Sequence, residues 1–102
     1  MPFHTTDREG ITRLNPDTDT MRAIIASLQD DVPEHPDVWL THDSGWTISL
    51  FPSGLAVLEN EHTHNTSQIE NITPDQALQM WLQLSQGNVQ SLLKQNWQHT
   101  DS

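Results

Sequence analysis

Residues 42–60, HDSGWTISLFPSGLAVLEN, carry two short Ser-Gly pieces, Asp43-Ser44-Gly45 and Pro52-Ser53-Gly54, each set between apolar alternations. Three-residue hairpin loops commonly join a type I turn to a residue of positive φ, a place that glycine fills without strain. Both pieces have that form, and Pro52 supplies the fixed φ of a first turn position. The spacing predicts three antiparallel strands near 38–42, 46–51 and 55–60. Their register follows from the loops: His42 opposite Trp46, Leu40 opposite Ile48, Val38 opposite Leu50, then Phe51 opposite Leu55, Ser49 opposite Val57 and Thr47 opposite Glu59.

Alternate residues of a strand point to opposite sides of a sheet, so this register sorts the side chains. One face collects Val38, Leu40, Trp46, Ile48, Leu50, Ala56 and Leu58, almost all apolar. The other collects Trp39, Thr41, Thr47, Ser49, Phe51, Leu55, Val57 and Glu59. The first is the candidate core. The second combines apolar groups with hydroxyls and one carboxylate, which suits a protein interface or a surface covered by another element.

Working outward, residues 15–28 read as a helix, with Asn15 as cap, Pro16 at the first helical position, and Met21, Ile24, Ile25 and Leu28 on one side. The segment DDVPEHPD, 30–37, breaks it with Pro33 and Pro36 and continues as an acidic connection. Beyond the strands, 61–71 reads as a polar loop. Thr73 and Gln76 then form a capping box around Pro74, opening a helix with Ala77, Leu78, Trp81, Leu82 and Leu84 on its apolar stripe and Gly87 at its end. A shorter helix carries Val89, Leu92, Leu93 and Trp97. The predicted class is α+β, a three-stranded antiparallel meander packed with helices in the order α-β-β-β-α-α. Residues 15–98 form the one expected domain, 1–14 an N-terminal arm and 99–102 a tail.

The chain has 102 residues, no cysteine, and a formal net charge of −10. Disulfides and thiolate zinc sites are thereby excluded. Between Arg22 and Lys94 there is no lysine or arginine, while nine carboxylates lie there. Such a field repels nucleic-acid backbones and anionic membranes and attracts basic surfaces. With no apolar stretch near the length of a bilayer span and no basic-then-apolar leader, the expectation is a soluble cytoplasmic protein.

Three chemistries compete with the turn reading of the opening stretch. Asp43-Ser44-Gly45 matches the way in which a retroviral-type aspartic protease subunit presents its aspartate, but His42 and Trp46 flank it where that family has apolar and small residues, and the C-terminal third is helical. Ser44 and Ser53 lack the strand-turn-helix elbow of a serine nucleophile. His62 and His64, beside Glu59 and Glu61, offer metal-ligand atom types, yet in a segment that reads as an exposed loop. No catalytic residue and no cofactor is assigned from these motifs.

The phrases GWTISLFPSGLAVLEN and ALQMWLQLSQGNVQSL, with Trp97, resemble a small uncharacterised bacterial family with a Gly-Trp strand, a Leu-Glu-Asn strand end and a Trp-bearing helix closed by glycine. In size, acidity and layout the chain is similar to immunity proteins that neutralise bacterial toxins. That similarity implies a non-enzymatic module that binds a basic protein partner; the mixed face and its acidic border supply the candidate docking residues, Trp39, Thr47, Ser49, Phe51, Val57, Glu59 and Glu61, with the carboxylates of 30–43 also steering association. The alternatives are a self-associating accessory or regulatory domain, which would form a homodimer through the same face, and a hydrolase or metal-dependent enzyme.

Overall fold

Both predicted turns form as their glycines require. The Gly45 N–H donates to His42 O at 3.0 Å and the Gly54 N–H to Phe51 O at 3.2 Å. Gly45 has φ +97° and Gly54 φ +85°, left-handed values that any side chain would strain. At Gly45 the space is taken as well, because a Cβ would stand 2.6 Å from the His62 ring. The computed structural model describes residues 3–29, 37–52, 54–63, 66–94 and 97–99. Within it the two turns join the strands β3 (Val38–His42), β4 (Trp46–Leu50) and β5 (Ala56–Asn60). The register is the expected one: Val38 pairs with Leu50, Leu40 with Ile48, Ser49 with Val57 and Thr47 with Glu59.

The sheet is larger than three strands. It is α+β as expected, but among the described residues the sheet has seven antiparallel strands in the order β2-β1-β3-β4-β5-β6-β7. The added strands are β1 (Phe3–Thr6), β2 (Thr12–Leu14), β6 (Thr66–Ile69) and the two-residue β7 (Gln98–His99). The chain order is therefore β-β-α-β-β-β-β-α-α-β rather than α-β-β-β-α-α. Residues 1–14, expected as an N-terminal arm, supply two strands, the expected polar loop 61–71 supplies a third, and Gln98–His99, across the expected boundary of domain and tail, supply a fourth. Residues 100–102 and most of the acidic connection lie outside the described residues.

The reason lies in backbone pairing. FHTT, TRL and TSQI are short and lack apolar alternation, but ladder hydrogen bonds do not depend on side-chain polarity, and β1 and β6 satisfy the outer edges of β3 and β5. Asn15 serves this pairing instead of capping a helix. It has φ +48°, its Oδ1 accepts the Phe3 N–H at 3.0 Å, and its own N–H donates to Phe3 O at 2.9 Å. The helix α1 (Thr18–Ala26) is capped by Asp17, whose carboxylate accepts the Thr20 N–H at 2.8 Å. A 3₁₀ turn over Ser27–Gln29 follows and buries Leu28.

Helix α2 (Pro74–Ser85) begins as predicted, with the reciprocal Thr73 and Gln76 capping bonds, and is tied to the second turn by the Ile72 N–H bonded to Gly54 O at 3.0 Å. Its end has Gly87 at φ +74°, with the Gly87 N–H on Leu84 O and the Asn88 N–H on Gln83 O, both 2.9 Å, the paired bonds of a Schellman stop. Helix α3 (Val89–Leu93) follows. α1 packs on α2, and α2 on β3 and β4. Met21, Ile24, Ile25, Leu28, Ala77, Leu78, Trp81, Leu84 and Leu92 meet Val38, Leu40, Ile48, Leu50, Ala56 and Leu58 in one core. The described helices thus share one side of the sheet.

Thr5 belongs to that inner side. It is fully buried opposite Leu40, and its hydroxyl has no hydrogen-bond partner. An unpaired buried hydroxyl costs on the order of 1–3 kcal/mol, and valine has nearly the same shape. Thr5→Val is expected to stabilise the protein by about 1 kcal/mol, raising Tm by roughly 4–8 °C in a thermal melt. An unchanged or lowered Tm would mean that residue 5 does not face the core.

Candidate protein-binding face

The side of the sheet opposite the helices carries two cross-strand rows. The first runs Thr12, Thr6, Trp39, Ser49, Val57, Gln68. The second runs Leu14, His4, Thr41, Thr47, Glu59, Thr66. Of the residues expected at a binding site, Trp39, Thr47, Ser49, Val57 and Glu59 are brought together here. Phe51 stands past the last paired residue of β4 and borders a recess of about 60 Å3 with Ile25, Leu28 and Ala77, at the junction of sheet and helices. Glu61 lies in the turn after β5, where its N–H donates to Gly45 O at 2.9 Å.

His4, Thr6, Gln68 and Thr66 were not legible as members of this face, because their strands were not. The only signal was the alternation of Thr5 with His4 and Thr6, too short to separate from loop sequence.

Trp39 differs from the core tryptophans in how its polar end is satisfied. The Trp81 indole N–H donates to Ile48 O at 3.3 Å and that of Trp97 to Leu92 O at 2.8 Å. The partly buried Trp39, between Thr6 and Ser49, has no such acceptor among the described residues. Around it hydroxyls bond to one another: Thr6 Oγ1 with Thr12 Oγ1 at 3.1 Å, and Thr41 Oγ1 with Thr47 Oγ1 at 2.9 Å. Beside Thr47, the exposed carboxylate of Glu59 has no hydrogen bond or ion pair among the described residues.

The lysine and arginines stand off the open face. The four cationic residues are Arg8, Arg13, Arg22 and Lys94. Arg8 is buried and donates to Ser27 O at the end of α1; Arg13 pairs with Asp7; Arg22 is on α1 and Lys94 ends α3. None belongs to the two rows of the open face. Glu59 lies within it, with Asp43 and Glu61 at one end, where they border a recess of about 430 Å3 together with His4, Leu14 and Thr41.

The chain matches no family model, no curated protein and no solved structure. Its reading therefore rests on the geometry.

Asp43 and Ser44 occupy the exposed tip of the first turn. His42 Nδ1 accepts both the Ser44 N–H at 3.0 Å and the Ser44 hydroxyl at 2.8 Å. Nε2 is buried without a partner, toward Gly87. No carboxylate among the described residues orients the ring, and the contacts close a turn. His62 Nε2 lies 3.7 Å from Glu61 Oε1, with the two side chains 68% and 66% exposed. Among the described residues no three His, Asp or Glu side chains are placed to hold a metal ion. His64 and Ser53 lie outside the described residues.

A larger recess, of about 870 Å3, separates the β1–β2 hairpin from α1 and is lined by Asp7, Arg8, Glu9, Arg13 and Asp19 among others. Asp7 and Arg13 of its lining pair with each other. The Asp7 carboxylate takes Arg13 Nη1 at 2.6 Å and the N–H groups of Glu9 and Ile11 at 3.0 Å each. Burial alone would raise its pKa; the bonds from Arg13, Ile11 and Glu9 outweigh it and hold the group below the usual carboxylate value. A lowered folded pKa adds stability that is present above the unfolded pKa, near 4, and is lost as pH falls through the folded value. Asp7→Asn is expected to lower stability by about 1 kcal/mol at pH 7, with the difference from the parent shrinking toward pH 2 in urea titrations. A difference constant from pH 7 to pH 2 would remove the ionised Asp7 from the hairpin's support.

Proposed function

We propose that the chain is a non-enzymatic protein-binding module, an immunity-type inhibitor that docks a basic bacterial toxin on the open face of its sheet. The observation that carries the reading is the second face itself, which no helix among the described residues covers: Trp39 near its middle, hydroxyls around it, and no lysine or arginine in either row. An antiparallel sheet normally presents such a side to water as a polar surface, and a partly exposed tryptophan within it is the kind of residue that anchors interfaces. The molecule measures 30 × 29 × 22 Å. A sheet face of those dimensions is of the order of the roughly 800 Å2 that each partner gives to a standard complex.

Charge separates this reading from self-association. Two copies meeting face to face would bring together two surfaces that carry Glu59 and no lysine or arginine, with a net charge of −10 on each chain. A basic partner reverses the sign of that interaction and gains in association rate. Support for a non-enzymatic role comes from Ser44, whose hydroxyl closes its own turn. Among the described residues no helix is long and apolar enough to cross a membrane. We place the module in the cytoplasm, where an inhibitor would protect the producing cell.

The test is calorimetric titration with the purified product of the neighbouring gene, using the parent and a Trp39→Ala/Glu59→Lys variant. A basic product that binds the parent and binds the variant about 100-fold more weakly is the expected result, given the usual cost of truncating an aromatic anchor and reversing a rim charge. Equal affinity for both chains would remove the open face from the interface.

A further inference from the structure

We infer that the partner residue seated on Trp39 is an arginine, with a second cation held by Glu59; this rests on the protein-binding reading of the same face. The first ground is the balance of donors and acceptors. Each threonine pair begins with two hydroxyl hydrogens and four lone pairs, and its mutual bond leaves one hydrogen and three lone pairs outward. The Glu59 carboxylate only accepts, and no lysine or arginine in the rows supplies donors. The two rows thus offer hydroxyl lone pairs and a carboxylate as acceptors, beside the donors of Ser49, Gln68 and the Trp39 indole, and they hold no lysine or arginine. A guanidinium, with five donors in one plane, meets those acceptors and carries the charge opposite to that of Glu59.

The second ground is the partly exposed indole amid those acceptors. Thr41 and Thr47 lie in the row next to Trp39, so a guanidinium laid on the indole has the hydroxyl pair at its edge. A planar, weakly hydrated guanidinium stacks on such a ring, whereas an ammonium is a strongly hydrated point charge. Glu59 is too far to share that group. Two strand spacings and one two-residue step separate it from Trp39, about 12 Å between backbones. The face thus has two distinct cation positions, the first selective for arginine and the second indifferent to which cation it holds.

The experiment compares hexa-arginine and hexa-lysine peptides as probes, titrated at low ionic strength against the parent, Trp39→Leu, Trp39→Phe and Glu59→Gln chains, each first shown to be folded by circular dichroism. The parent is expected to bind hexa-arginine about fivefold more tightly than hexa-lysine. That preference falls to near unity in Trp39→Leu and is partly restored in Trp39→Phe, while Glu59→Gln weakens both peptides alike. Equal affinities in the parent, or a preference that survives Trp39→Leu, would overturn the arginine assignment and leave the basic-partner reading standing so long as Glu59→Gln still weakens both. Binding of neither peptide would overturn both readings.

Discussion

Two left-handed glycines hold the register on which the rest of the molecule depends. With Gly45 and Gly54 closing their turns, β3, β4 and β5 can pair only so that Leu40, Ile48 and Leu58 fall on one side and Trp39, Ser49 and Val57 on the other. A slip of one residue would exchange those sets. It would expose the apolar row and bury hydroxyls and a carboxylate, so the penalty is the whole core rather than one contact. Gly54 has a second role, since its carbonyl accepts the Ile72 N–H just before α2. The turn that sets the register also sets where the main helix starts.

From that point the helices have one side to go to. Trp81, fully buried, reaches from α2 to Ile48 O on β4, and α1 packs on α2 rather than crossing the sheet. The apolar residues of α1 find their partner in the core, so they do not cover Trp39. The cations follow the helices and the hairpin edge: Arg8 is anchored on Ser27 and Arg13 on Asp7. What remains opposite is a polar sheet face whose charges are carboxylates. The proposed recognition of a basic partner grows out of this asymmetry.

The meander, the capping box and the glycine stop were legible in the sequence because each rests on local chemistry: a residue that tolerates positive φ, a side chain that caps N–H groups, a repeat of apolar positions. Trp39, Thr47, Ser49, Val57 and Glu59 could be grouped on one face for the same reason, as parity follows from register. β1, β2, β6 and β7 could not be read. Their strand character comes from the unpaired edges that they meet, and Thr5 shows how little their side chains announce it, since it is a buried residue with an unpaired hydroxyl. Asn15 misled for a related reason: asparagine suits both a helix cap and a left-handed turn position, and here the tertiary bonds to Phe3 decide for the turn. The pairing of His42 with Ser44 likewise depends on the turn being closed.

The most direct measurement of the one-sided architecture is hydroxyl-radical footprinting of the isolated chain, read by mass spectrometry at single tryptophans. Trp39 should oxidise readily, while Trp81, with 0% of its surface exposed, stays protected until the protein unfolds. Protection of Trp39 equal to that of Trp81 would show a covered second face, and the proposed docking surface would go with it.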